Sequence, residues 1–402
     1  MERRIFVTGA TGFIGMKLVS RLVESGNIVH ALVRNPAHNV LASNSSVKLV
    51  HGDLMNIRAI YKGMENCSQV YHLAGNVSTW AKDPKDFYET HVAGTQNILE
   101  AARKWNIEKI IITSSGAVLG PSTSNPVTEN SKRVLPFFND YEKSKHLMER
   151  LAKRYSTGRL QIVLVNPARV YGPGLIRESN TAIEIIRKYL QGNWKLIPGR
   201  DHIGSYAYVD DVVDGHILAM EKGRSGERYI LGGDNRKFSD LFVITRNLTD
   251  VNRKLYKIPL SLVILTSLIE TTFANLFKRK PRLPFDWSSK LTYDWAMSSE
   301  KAKQELGYKV TPLEEGLKKT ISWLLKNEQE AAHPGLETRA GSGMDKSPDL
   351  KFDELQMKLR PEIVTNGEFQ SAGKDQEKKY NVMLNGVGGD IKPNPDNNRK
   401  NI

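Results

Sequence analysis

At 402 residues, 40% hydrophobic and 25% charged, the chain has an ordinary globular composition and is long enough to hold more than one domain. Its one cysteine, Cys67, excludes a disulfide within the chain and points to a reducing compartment. Residues 331–402 contain 11 Lys and Arg against 11 Asp and Glu, so the whole formal net charge of +14 lies in residues 1–330. A basic folded part could attract nucleic acid, an anionic membrane surface or phosphate-bearing ligands, or is simply a solvated basic surface. No specific nucleic-acid partner is expected.

The N-terminus runs directly into a strand at Arg4–Thr8 without a signal peptide, so a cytoplasmic protein is expected. Thr8-Gly-Ala-Thr-Gly-Phe-Ile-Gly15 follows that strand and leads into a helix through Lys17–Val23. Strand, glycine-rich turn and helix gather backbone N–H groups and the positive end of a helix dipole around one point, which suits a dinucleotide pyrophosphate. Gly9 permits the tight turn, Gly12 lets the backbone approach the phosphate, and Gly15 lets helix and strand pack closely. Outside that context the same glycines would be a plain turn.

Further strands are expected at Ile28–Val33, Val47–His51, Gln69–Leu73, Lys109–Thr113 and Gln161–Asn166. Apolar residues at helical spacing cover Asp86–Trp105 and Tyr141–Tyr155. This alternation predicts an α/β fold, a Rossmann-type doubly wound parallel sheet that binds ligands at the carboxyl ends of its strands.

The strand at Lys109–Thr113 ends in hydroxyls. It would bring Ser114 or Ser115 into the crevice of the glycine loop, where a hydroxyl can steady charge on a substrate oxygen. Serines also end strands for purely structural reasons. Downstream, Tyr141 and Lys145 lie four residues apart, on one helix face. A phenol with a pKa of about 10 is a poor acid or base at neutral pH, and a neighbouring ammonium lowers that value. Such a pair can equally be an exposed helix pair.

These motifs together resemble the extended short-chain dehydrogenase/reductase superfamily, also described as the NAD-dependent epimerase/dehydratase family. The resemblance spans residues 3–325. Besides the glycine loop, Thr113-Ser-Ser115 and Tyr141-x-x-x-Lys145, it rests on Gly52-Asp53-Leu54, His72-Leu73-Ala74-Gly75 and Val92-Ala-Gly-Thr95. Asn166-Pro-Ala-Arg-Val-Tyr-Gly-Pro-Gly174 and Tyr208-Val-Asp-Asp211 also fit. Gly215–Lys222 and Gly226–Gly233 look most like dihydroflavonol-reductase-like and hopanoid-associated sugar-epimerase-like members.

The resemblance implies catalytic roles for Tyr141 as acid/base, Lys145 as its pKa-lowering partner on the nicotinamide ribose, and Ser115, with Ser114 second, on the reacting oxygen. It implies cofactor contacts from Gly9, Thr11, Gly12, Phe13, Ile14 and Gly15, from Asp53 and Leu54 at the adenine, from Leu73 and Ala74, and from Pro167, Ala168 and Val170 near the nicotinamide. Two departures stand out: His91 occupies the usual asparagine position, and Leu119 the usual tyrosine position, which could reshape the substrate pocket. A homodimer through the helices near 86–105 and 141–155 is the analogous assembly.

The second strand ends Val33-Arg34-Asn35, and no Asp or Glu occurs between Glu24 and Asp53. An acidic residue there would bond a ribose 2′-hydroxyl, whereas Arg34 favours a 2′-phosphate, so NADP is favoured over NAD. No His/Cys/Asp cluster has metal-ligand spacing.

From residue 176 the pattern loosens, with helices expected at Thr181–Leu190 and Val209–Glu221 and a short strand at Ser205–Tyr208. The expected organisation is a mainly nucleotide-binding domain over 1–175, a mainly substrate-binding lobe over 176–330 intermixed with it, and a disordered tail over 331–402. Leu350–Leu359 in the tail has a faint helical pattern suited to docking.

Leu260–Phe277 is the longest apolar stretch, with Leu262, Leu265, Ile269, Phe273 and Leu276 on one face and Lys278-Arg-Lys-Pro-Arg282 after it. Two readings stand: the stripe packs on the core or roofs an apolar pocket, or residues 260–282 lie peripherally on an anionic membrane. Either hints at an apolar substrate. The functional expectation is a reductase or dehydrogenase acting on a carbonyl/alcohol pair of a small molecule. A nucleotide-sugar epimerase or dehydratase with retained cofactor, or a non-catalytic nucleotide sensor or interaction protein, are the alternatives.

Overall fold

A computed structural model of the chain describes residues 3–36, 40–78, 80–156, 159–176, 180–277, 279–332 and 379–381. The first half comprises β1 (Arg4–Thr8), α1 (Phe13–Glu24), β2 (Ile28–Val33), β3 (Val47–His51), α2 (Ile57–Met64) and β4 (Gln69–His72). It continues through α3 (Lys85–Tyr88), a π-helical turn at Glu89–Ala93, α4 (Gly94–Lys104), β5 (Lys109–Thr113), α5 (Asp140–Tyr155) and β6 (Gln161–Pro167).

The second half holds β7 (Arg169–Tyr171), α6 (Thr181–Leu190), β8 (Leu196–Pro198), β9 (Ile203–Tyr208), α7 (Val209–Lys222), β10 (Arg228–Leu231) and β11 (Asp234–Lys237). Then come α8 (Asp240–Thr249), β12 (Tyr256–Ile258), α9 (Leu260–Leu276), α10 (Phe285–Ser288), α11 (Glu300–Leu306) and α12 (Leu313–Ala332).

Seven strands pair in the order β10-β6-β5-β4-β1-β2-β3, every pairing parallel. The pleat sends alternate residues to opposite faces, so both faces need a cover. Phe6, Val70, Ile110, Ile112, Ile162 and Leu164 meet Ile60, Ile98, Leu147 and Leu151 of α2, α4 and α5. Ile5, Val7, Val29, Ile111, Val163 and Val165 meet Leu18, Leu22, Val212 and Met220 of α1 and α7. Strand order reverses at β1, which opens the crevice where doubly wound sheets bind ligands.

The second lobe is built on the sheet β11-β9-β7, with Tyr171, Ile186, Tyr189, Phe242 and Leu317 in its core. The two lobes are interleaved, because α7 and β10 return from the second half to complete the first sheet. In α9 the apolar stripe does not pack on the core: Leu262, Leu265, Ile269, Phe273 and Leu276 face outward, and Val263, Ser267 and Ala274 are the buried residues.

The tail expected to be disordered lies outside the described residues apart from 331–332 and 379–381, and Leu350–Leu359 lies outside them entirely. Residues 379–381 form a helical turn in which buried Tyr380 stacks on Tyr88, with ring centroids 5.8 Å apart.

Candidate active site

The glycine loop closes on itself at the carboxyl end of β1. Gly9 has a φ of +71°, and a Cβ there would stand 2.7 Å from the Ala74 nitrogen. At Gly15 a Cβ would come within 2.0 Å of the Gly9 carbonyl oxygen, so no side chain fits where α1 crosses the loop. Gly12 begins α1 without any side-chain cap, and no acidic residue occupies the first turn. An uncapped helix start above a glycine cradle is a place for an anion.

Leu73 and Ala74, after β4, form the other wall. Thr8 Oγ1 bonds His72 Nδ1 at 2.7 Å and accepts the Ala74 N–H at 3.2 Å, while His72 Nε2 meets Thr95 Oγ1 at 2.9 Å. Burial holds the His72 pKa down to about 3, so this link between β1, β4 and α4 is a neutral one.

The other cofactor candidates surround this crevice unequally. Thr11 is exposed and Ile14 half-buried, and Phe13 is buried against Leu175 and Val209, the first residue of α7. Arg34 is exposed where β2 ends. The Asp53 carboxylate accepts the N–H groups of Met55 and Asn56 at 2.9 and 3.0 Å, and Leu54 is buried beside Gly94. Pro167 is buried at the end of β6, Ala168 is half-buried between the strands, and Val170 is half-buried in β7.

Two elements deliver the candidate hydroxyls. The β5 strand ends at Thr113, and Ser115 caps the 3-10 turn Gly116–Leu119, accepting the Ala117 N–H at 3.2 Å. Asn139 caps α5 by accepting the Glu142 N–H at 3.1 Å, which sets Tyr141 in the first turn. The Ser115 hydroxyl lies close enough to the Tyr141 phenol to pull its pKa down. Of the two candidate serines, Ser115 is therefore the one beside the phenol; Ser114 Oγ is buried with no hydrogen-bond partner.

Lys145, one turn on, is buried and donates from Nζ to the Thr113 carbonyl oxygen at 2.9 Å. Burial lowers its pKa to about 8, against the opposing pull of Glu149. The Tyr141 phenol departs from expectation: burial raises its pKa, the nearby Ser115 hydroxyl opposes the rise, and the Glu142 charge adds to it. Loss of water outweighs stabilisation of the phenolate, so the hydroxyl keeps its proton at neutral pH.

Sequence reasoning missed the groups that hold this pair. Glu142 is fully buried and ion-paired with both Arg133, at 2.6 Å, and Lys290. Arg133 also donates to the carbonyls of Ala117 and Val118, just after Ser115. Asn166 Nδ2 donates to the Ser115 carbonyl at 3.0 Å and to Glu149 at 2.7 Å, and Glu149 pairs with Arg228 of β10 at 2.6 Å. A glutamate directly after the tyrosine, on the buried side of α5, was the visible signal for the first of these networks.

His91 stands in the π-helical turn. Its Nε2 accepts the Asn76 N–H at 3.1 Å, its Nδ1 bonds Ser144 Oγ at 2.8 Å, and its ring meets that of Tyr141 edge-on at 5.6 Å. Leu119 is buried with Val127, Ile230, Trp295 and Met297. Among the described residues, no group of three or more His, Cys, Asp or Glu side chains could hold a metal ion.

Residues 5–232 match the NAD dependent epimerase/dehydratase family. The chain belongs to that family. It is an NAD(P)-dependent enzyme of the extended short-chain dehydrogenase/reductase type. A Synechocystis protein provisionally named a dihydroflavonol 4-reductase is 31% identical over 325 residues, 79% of this chain and 93% of its own. Sterol demethylase protein B of Methylococcus capsulatus is 27% identical, over 79% of this chain and 97% of its own. The crystal structure of gox2253 covers 81% of this chain and 98% of its own at 29% identity, with a TM-score of 0.69.

Proposed function

We propose that the protein is an NADP-dependent reductase of a carbonyl group on a fairly apolar small molecule. The observation that carries this reading is that Tyr141, Lys145 and Ser115 are gathered together, with Lys145 bonded to the Thr113 carbonyl oxygen and Asn166 to that of Ser115. When bound, the dinucleotide supplies the hydride. The N–H groups at the start of α1 hold its pyrophosphate, and Arg34 its 2′-phosphate. Asp53 and Leu54 border the adenine, Leu73 and Ala74 the middle, and Pro167, Ala168 and Val170 the nicotinamide.

Tyr141, protonated at neutral pH, gives its proton to the substrate oxygen as the neighbouring carbon gains the hydride, so the carbonyl becomes an alcohol. Ser115 donates a hydrogen bond to that oxygen, and Lys145 steadies the phenolate left behind. The names of two relatives, for dihydroflavonol and sterol chemistry, support an apolar substrate.

The test is NADPH oxidation by the purified chain with a panel of apolar ketones, repeated with Tyr141→Phe. The variant should lose about 10²–10⁴-fold in kcat while its NADPH affinity stays within a few-fold. Undiminished turnover by the variant, or no binding of either dinucleotide by the wild type, overturns the reading. A dinucleotide that survives purification, without net reduction of any ketone, transfers the site to an epimerase.

A further inference from the structure

We propose that α9 and the basic segment after it dock the protein on the surface of an anionic lipid bilayer. Six large apolar side chains of this helix, Leu262, Leu265, Leu268, Ile269, Phe273 and Leu276, are each 46–72% exposed. Their three- and four-residue spacing puts them on one side. The opposite side is fastened to the protein: Val263 and Ala274 are buried, Ser267 Oγ bonds Ser288 Oγ of α10, and Thr271 Oγ1 accepts the Phe285 N–H. The helix is thus held with its apolar side outward. A contiguous apolar surface of this kind marks an interaction site.

Charge selects the partner. Glu270 is the one charged residue of α9, and its Oε1 accepts the Arg282 N–H, turning it toward the following loop. Arg279, Lys280 and Arg282 are exposed just beyond the helix end, and Lys278 precedes them in the sequence. An apolar strip that ends in a cationic cluster matches acyl chains beside anionic headgroups. A second copy would bring another cluster of the same sign. The helix has 17 residues, against about 20 needed to span a bilayer. No helix among the described residues is long and apolar enough to cross one. The geometry is that of a helix lying in the interface plane.

The docked element is joined to the catalytic helix by a short stretch. From α10 the chain reaches Lys290, whose ammonium pairs with Glu142, the residue after Tyr141. The proposal stands apart from the reductase reading, and its test measures lipid binding rather than turnover.

The full chain is floated with vesicles of phosphatidylcholine plus phosphatidylglycerol, and with phosphatidylcholine alone. Flotation with the anionic vesicles, weakening as salt is raised, is expected. Phe273→Ser with Leu276→Ser should lower partitioning about 10-fold or more while leaving the melting temperature unchanged, because both side chains are exposed. Arg279→Gln with Arg282→Gln should abolish the preference for anionic vesicles. A wild-type chain that floats with neither vesicle, or a serine variant that floats as well as wild type, overturns the proposal. So does a wild-type dimer that the serine variant loses without any flotation, which would assign the face to a second copy.

Discussion

The Lys145 ammonium is tied to the Thr113 carbonyl oxygen, the last residue of the strand that delivers Ser115. The helix carrying the phenol and the strand leading to the serine are therefore pinned together, two residues from Ser115 and four from Tyr141. Pre-positioned donors of this kind need little reorganisation as charge develops.

The pH profile should report Lys145. Its pKa is held down to about 8, so the ammonium is lost above that pH while Tyr141, raised by burial, keeps its proton. We expect kcat/KM for reduction to be level at neutral pH and to fall about 10-fold per unit above pH ~8. An alkaline limb that begins only near pH ~10, the ordinary lysine range, would show that Lys145 is not the titrating group.

Glu142→Gln should be strongly destabilising. It leaves the Arg133 and Lys290 charges without their buried counter-ion, at a cost of about 3–5 kcal/mol. Urea unfolding measures this directly; a loss below about 1 kcal/mol, the range of exposed pairs, would mean that water reaches the cluster.

At the glycine loop, Gly15→Ala places a methyl 2.0 Å from the Gly9 oxygen and must push α1 away from the loop. Dinucleotide affinity should fall at least ~10-fold, with about 1–3 kcal/mol of stability lost to overpacking. Fluorescence titration with NADPH and a thermal melt read the two effects separately.

Arg34→Asp tests the cofactor choice. Replacing the guanidinium by a carboxylate should remove a charge-assisted bond and shift preference from NADP toward NAD by ~10-fold or more. The side chain is exposed, so the fold should be indifferent to the change. An unaltered ratio of dissociation constants would remove Arg34 from the site.

Stability should decline in mild acid. Burial holds His72 at about 3 and both His202 and His216 at about 4, below the ordinary value of 6.5. Between those limits the unfolded chain binds more protons, so stability falls as pH drops from about 6.5 toward 4. His216 illustrates why: Nδ1–H donates to the Val212 carbonyl and Nε2 faces Thr113 Oγ1, an arrangement suited to the neutral ring. A denaturation midpoint unchanged over that interval would contradict this assignment.

The bounds of β1, β2, β3 and β5 could be read to the residue, because each is a compact apolar run between turn residues. The strand β10 was not assigned from its four residues, Arg228–Leu231, because its place beside β6 is a long-range pairing with no local signature. Ser114 and Ser115 could not be separated until the 3-10 turn after β5 fixed which one meets Tyr141. The direction of the Tyr141 shift was hidden for a related reason: helical spacing locates Lys145, but burial is a property of the packed whole. In α9 the stripe was visible and its orientation was not, since periodicity reveals that a face is apolar without revealing what lies opposite.

Asn166 supports the Ser115 carbonyl, Glu149 supports Asn166, and Arg228 supports Glu149. The last link enters the first lobe from a strand that the chain makes only after building much of the second. The two lobes are consequently poor modules for exchange. A chimera that swaps everything after residue 175 replaces the anchor of Ser115, whereas one that retains α7 and β10 from the recipient keeps it. The second lobe of such an enzyme is better transplanted as two separate inserts, before α7 and after β10, than as one terminal block.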